Sequence, residues 1–303
     1  MGVAATIRPR RGADAGYRTT LFLLLAPFLL GVVVLVVLPV ALSIGLAFTA
    51  YDGLSAPEWR GLANFRELAA DSLFHIALRN SLVFVALTVP LRVLIALGLA
   101  LLLNRSRRGV GLYRVAVYVP TIVPSVAYAL IWLWIFNPRY GPLNLALESL
   151  GLPAPAWLID RTTALPAIAL TALFTMGEGF VVVLAGLRSI PAECYQASAI
   201  DGAGRVATLR HITLPLLAPW LLLLTFRDVI VSAQSTFTPA LLMTGGGPYY
   251  ATLFVPLLMF ETAFDHFRFG QGAAMMLLLL LVVGGLIGLT YRAAGGWGYE
   301  DEI

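Results

Sequence analysis

Six apolar runs dominate this sequence, at residues 21–48, 81–103, 115–136, 164–187, 216–236 and 270–291. About 20 apolar residues, at about 1.5 Å per residue, carry a helix across a hydrocarbon core of about 30 Å. The first run exceeds that length, which implies tilt or protrusion, and it is far longer than a signal-peptide core. It therefore reads as an uncleaved first membrane helix. Composition agrees: 59% of residues are hydrophobic, 12% are charged and the mean hydropathy is +0.87. A soluble domain is nearer half apolar and a quarter charged. The expected fold is an all-α integral membrane protein with six transmembrane helices, and 303 residues leave no room for a large soluble domain besides.

The chain divides into a tail at 1–20, a first membrane helix with an outer segment at 21–76, a transmembrane domain at 77–292 and a tail at 293–303. Within the transmembrane domain, a polar loop at 188–214 is flanked by apolar runs on both sides. Six spans put both ends of the chain on one side of the membrane. That side carries twelve arginines: four in the first tail, four in the 104–114 loop, three in the 188–214 loop, and Arg292 where the last tail begins. The opposite loops carry six, and Arg92 and Arg227 lie within spans. The arginine-rich side is expected to be cytoplasmic, which places the 188–214 loop there too.

All 20 basic residues are arginine. Without lysine the chain has no Walker A phosphate loop, so Thr244-Gly245-Gly246-Gly247-Pro248 reads as a turn. If an ATP-driven process involves this chain, the ATPase is another chain. The net charge of +4 follows membrane sidedness and implies no nucleic-acid partner. Cys194 stands alone, which excludes an intrachain disulfide. His75, His211 and His266 show no metal-binding spacing and fall on opposite sides of the predicted topology, so no metal site and no catalytic residue is expected.

The polar loop has internal punctuation. Pro191 follows Ser189 at a helix start, Ala197, Ser198 and Ala199 offer a small-residue face, and Gly202 and Gly204 end the helix. Pro215 fits the start of the next span. The order Gln196-Ala197-Ser198, three residues, Gly202, nine residues, Ile212-Thr213-Leu214-Pro215 resembles the EAA loop of ABC-importer permeases, a cytoplasmic helix pair that docks on an ATPase. Gln196 and Ser198 depart from the Glu and second Ala of that pattern. Gln keeps hydrogen-bonding capacity without charge, leaving Glu193 and Asp201 as the nearby carboxylates.

The resemblance extends along the chain through Trp59 to Phe65, Tyr118-Val119-Pro120 with Pro124, Trp132 and Trp134, Phe136-Asn137-Pro138, Gly141 to Asn144, Leu242 to Pro248 and Glu261 to Phe264. These segments are similar to the first permease of carbohydrate importers of the maltose, glycerol-phosphate and lactose type. The resemblance implies a type I ABC-importer transmembrane domain in a bacterial or archaeal inner membrane. Implied partners are a second permease subunit, an ABC ATPase dimer that holds the ATP, an extracytoplasmic solute-binding protein and a carbohydrate, with no cofactor on this chain. The implied ATPase-coupling residues are Glu193, Gln196, Ala197, Ser198, Asp201, Gly202, Leu214 and Pro215.

Four charges fall near the centres of predicted spans: Arg92, Glu178, Arg227 and Asp228. Charges at that depth are costly and face an interior or a wet cavity. Two of each sign imply mutual compensation. Arg227, Asp228, Ser232, Gln234 and Ser235 make a polar stretch on the fifth span and are the candidates for the substrate path. Arg227 and Gln234, seven apart, share a helical face, as do Asp228 and Ser232, four apart. Two alternatives use the same residues: an ABC permease for a non-sugar solute, and an ion-coupled transporter with protons on Glu178 and Asp228.

Overall fold

The computed structural model describes residues 11–104 and 108–295. The arginines expected on the cytoplasmic side at 8, 10, 105 and 107, and most of the tail at 293–303, lie outside the described residues. Four helical stretches are long and apolar enough to cross a bilayer: Thr19–Leu46, Ser72–Leu103, Arg205–Thr244 and Phe269–Ala293. Two more spans are bent pairs, Val110–Ile122 with Ser125–Ile135 and Ala164–Phe174 with Gly177–Ser189. Together they make the six spans of an all-α membrane domain.

The third span, expected at 115–136, is two helices that meet at 103°. Pro124 is the reason: the ring excludes the helical conformation from the residue before it, and Val123 is extended at φ −67°, ψ 129°. The fourth span bends by 46° between Phe174 and Gly177. Prolines elsewhere are absorbed more gently. Wider π turns at Val33–Val37 and Leu209–Thr213 immediately precede helices that carry Pro39 and Pro215 at their starts. An extra residue in the turn accommodates the missing N–H and the bulk of the ring.

The fifth span begins earlier than expected, since helix runs almost unbroken from the second arm of the 188–214 loop into Leu214–Gln234. The outer connection at 237–269 is largely helical, through Val255–Phe260 and the turn Glu261–Asp265. The first helix is already formed at Arg11, the first described residue, inside the segment expected as a tail.

Spans two, four and five form the centre of the bundle. Ala96, Ala100, Phe180, Val183, Leu217 and Leu224 build one apolar core near the 188–214 loop. Phe74, Phe84, Ile168, Phe254, Leu257 and Met275 build another at the opposite end. By contrast, the first span buries none of its apolar window inside the chain, and its far end packs on the last span. Beyond that end, Thr49–Ala50 pairs antiparallel with Glu58–Trp59. Buried Asn64 pins this ribbon by donating to the Ala47 and Thr49 carbonyls at 2.8 and 2.9 Å. The Ser55 and Leu54 amides and the Ser55 hydroxyl hold the exposed Asp52 carboxyl down to about 2.

Glycine lets spans four and five approach closely. A Cβ at Gly186 would lie 2.6 Å from Trp220 and 2.8 Å from Leu217. Without a strong hydrophobic drive between helices in lipid, such small-residue contacts carry the packing. Gly186→Leu is expected to force the two spans apart at about 1–3 kcal/mol, the usual cost of overpacking. A lower unfolding temperature in detergent checks this; Trp220→Ala in the same chain should recover part of the loss.

Candidate functional site

The 188–214 loop folds as a helical hairpin. Its first arm, Ala192–Ile200, starts after Pro191 and stops at Gly202, which takes a left-handed φ of 73°. The Ala203 amide bonds back to the Ser198 carbonyl at 3.0 Å and closes the turn. Two hydroxyl pairs join the arms: Ser198 Oγ with Thr208 Oγ1 at 2.8 Å, and Tyr195 OH with Thr213 Oγ1 at 3.4 Å. Thr213 directly precedes the helix Leu214–Gln234, so the hairpin is continuous with span five.

Glu193, Gln196, Ala197, Asp201, Gly202 and Pro215 are exposed, and Leu214 is half-buried. Ser198 differs: it is buried against Thr208 and cannot offer its side chain to a docking surface. Its hydroxyl works inside the hairpin, which is where the departure from Ala acquires a purpose. Two residues not singled out from the sequence stand out here. Ile200 and Val206 flank the turn at 86% and 78% exposure, an apolar pair on a polar hairpin. The available signal was spacing, since Ile200 lies four residues after Gln196 and shares its face.

The four intramembrane charges form one chain of ion pairs. Arg92 Nη2 lies 3.7 Å from Asp228 Oδ1, Arg227 Nη1 donates to the same oxygen at 2.9 Å, and Arg227 Nη2 pairs with Glu178. Arg92 Nη2 also donates to the Thr175 carbonyl at 3.2 Å, at the bend of span four. Spans two, four and five are thereby tied together at one level. Arg92 and Asp228 are each 3% exposed, whereas Glu178 is half exposed. Burial runs from one end of the chain to the other.

The candidate substrate-path residues do not share one surface. Asp228 and Ser232 are buried toward span two, where Thr88 Oγ1 lies 3.4 Å from Ser232 Oγ. Neither side chain lines the cavity at the span breaks in this structure. Arg227 and Gln234 face outward, and exposed Ser235 borders a cavity of about 160 Å³. Both broken spans meet at this cavity: Thr121, Val123 and Ser125 come from the break in span three, Thr171 and Thr175 from the bend in span four. Tyr128, Trp132 and Phe84 supply aromatic walls. Among the described residues, the buried Thr121 hydroxyl has no hydrogen-bond partner. Sequence reasoning missed Thr121, Ser125 and Tyr128, whose one signal was proximity to Pro120 and Pro124.

Six spans, a neutralised charge chain at membrane depth and a helical hairpin between spans four and five fit a membrane transport subunit, and no cluster of metal-ligating residues occurs among those described. Residues 92–294 match the family described as binding-protein-dependent transport system inner membrane component, and the chain belongs to it. It is a multi-pass inner-membrane permease subunit and not an enzyme.

The probable ABC transporter permease YesP of Bacillus subtilis is 34% identical over 285 residues, covering 92% of this chain and 91% of the relative. The diacetylchitobiose uptake permease NgcF of Streptomyces coelicolor is 31% identical, covering 97% and 89%. A crystal structure of a bacterial ABC transporter that imports the acidic polysaccharide alginate superposes with a TM-score of 0.79 at 20% identity, covering 94% of this chain and 98% of that one.

Two outcomes follow from this geometry. Gly202→Val forces a β-branched residue into a left-handed turn, although a Cβ there meets nothing within 4 Å. It should leave assembly intact and lower the sugar transported per ATP hydrolysed in reconstituted transporter. Asp228→Asn removes the shared counterion and leaves buried Arg92 uncompensated, at about 3–5 kcal/mol. Denaturant unfolding in detergent should show a larger loss than for Glu178→Gln at the exposed end.

Proposed function

We propose that this chain is one of two permease subunits of an ATP-driven carbohydrate importer, with both ends in the cytoplasm. A sister permease completes the path, an ABC ATPase dimer docks on the 188–214 hairpin and holds the ATP, and an extracytoplasmic binding protein delivers the solute. No cofactor is bound by this chain. The observation that carries the substrate class is the cavity at the two span breaks. Its wall brings Thr121, Ser125, Thr171, Thr175 and Ser235 beside Tyr128 and Trp132. Irregular backbone at membrane depth is tolerated where it lines a cavity. Hydroxyls beside aromatic faces suit a neutral polyhydroxyl ring, and the adjacent charge chain cancels to zero. Relatives named for diacetylchitobiose and for trehalose and maltose support the same class.

In this reading the hairpin transmits the ATPase's movement. Exposed Ile200 and Val206 seat in an apolar groove of the ATPase, with Glu193, Gln196 and Asp201 around them. Displacement passes through Tyr195 and Thr213 into span five, whose Arg227 and Asp228 are tied to spans two and four.

The test is uptake in proteoliposomes holding the complete transporter and its binding protein. ATP-dependent accumulation of a sugar is expected; accumulation by the chain alone under an ion gradient would sink the reading. Thr121→Val keeps the side-chain shape and removes the unpartnered hydroxyl. It should weaken apparent sugar affinity roughly three- to tenfold, the worth of one hydrogen bond, and unchanged affinity would remove Thr121 from the wall.

A further inference from the structure

A further cavity, of about 750 Å³, lies at the end of the bundle away from the 188–214 hairpin. Ligand sites commonly span about 300–1,000 Å³. Three elements distant in the chain build it. One wall is the ribbon of Thr49–Ala50 with Glu58–Trp59. Side chains alternate along a strand, and Trp59 is stacked on Phe48 at 5.7 Å, so Glu58 and Arg60 turn the other way and line the cavity. A second wall is the helix Ala63–Ala70 with the residue after it. Asn64, Glu67 and Asp71, three and four apart, share its cavity face. The third wall is the entry to span six, where Phe267, Arg268 and Gln271 complete the lining.

These walls are fixed against one another. Buried Asn64 ties the helix to the ribbon through the Ala47 and Thr49 carbonyls. Arg60 pairs with Glu67 at 3.0 Å and joins the same two elements. Span six comes close because of Gly270, where a Cβ would run into the Thr49 carbonyl. Phe267 holds a left-handed φ of 54°, a conformation that a bulky side chain seldom takes.

The lining selects a chemistry. Asp52, Glu58, Glu67 and Asp71 supply four carboxylates against the guanidiniums of Arg60 and Arg268. An excess of two negative charges disfavours an anion. Among the described residues no group of three carboxylates is placed to hold a metal ion, and Glu58 and Arg268 form no ion pair. Carboxylates accept from hydroxyls, whereas guanidinium and the Gln271 amide donate to them. Tyr51 and Phe267 add aromatic surface. Acceptors, donors and rings in one polar cavity suit an uncharged, hydroxyl-rich molecule.

We propose that this outer cavity is a second saccharide site, separate from the one at the span breaks, which holds a neutral sugar before it enters the bundle; this rests on the carbohydrate reading above. Glu58, Arg268 and Gln271 bind the hydroxyls, and Asn64 and Gly270 are positioning residues that keep the walls together.

The experiment uses the assembled transporter in nanodiscs without its binding protein, with Cys194→Ala as background. Ser55→Cys places a thiol on the cavity wall, and Ser149→Cys places one on an exposed surface elsewhere. Maltose, trehalose and diacetylchitobiose are the probes. At least one is expected to slow maleimide labelling of Ser55→Cys and to leave Ser149→Cys unaffected. Glu58→Ala or Arg268→Ala should raise the sugar concentration needed roughly three- to tenfold, the worth of one hydrogen bond. A sugar that the complete transporter accumulates with ATP but that protects neither thiol overturns the site and leaves the importer standing. Protection by calcium chloride and by no sugar overturns it in favour of a cation. Weaker binding-protein affinity in Arg268→Ala with sugar protection unchanged assigns the cavity to that protein and overturns it too. If the complete transporter accumulates none of the three sugars and none protects, the carbohydrate reading fails and the site falls with it.

Discussion

Inside a bilayer no water is available to satisfy a stray polar group, and this constraint organises the structure. Where span four bends, the Thr175 carbonyl accepts from Arg92 on span two. The arginine brought there needs a counterion, which Asp228 on span five supplies, and Asp228 in turn is shared with Arg227. Each group answers a need created by the one before it. The chain of pairs ends at Glu178, where exposure makes satisfaction depend on what lies outside the chain.

The same constraint locates the irregular backbone. Both span breaks border one cavity, so backbone that leaves the helical pattern faces an enclosed space lined by apolar, aromatic and hydroxyl side chains. Pro124 forces one break and close packing shapes the other, for a Cβ on Gly177 would run into the backbone of Tyr118. Hairpin and charge chain are linked by short covalent and hydrogen-bonded steps. Tyr195 meets Thr213 at the foot of span five, about four helical turns (3.6 residues each) below Arg227. A push on the hairpin therefore reaches the charged level through one stiff element.

Much of this was legible in residue order. The hairpin could be read from Pro191, Gly202 and Pro215 because helix starts and stops depend on local backbone chemistry. The four charges could be found because any charge in an apolar run is conspicuous. Less legible was direction. Ser198 reads as part of a docking face and is buried against Thr208, since which side of a short helix turns inward depends on its partner arm. Asp228 and Ser232 read as path residues and point toward span two, although Gln234 on the same helix faces outward. Ile200 and Val206 look like ordinary apolar residues until the fold leaves them bare.

Sequence alone determined the number of spans and the presence of a polar helical loop between spans four and five, because length, hydropathy and helix stop signals act locally and need no tertiary contact. Tertiary structure alone decided which charges pair, where span four bends, and that both bends open on one cavity. Those outcomes depend on the rotation of each helix about its axis, which side-chain packing between spans sets and residue order does not encode locally.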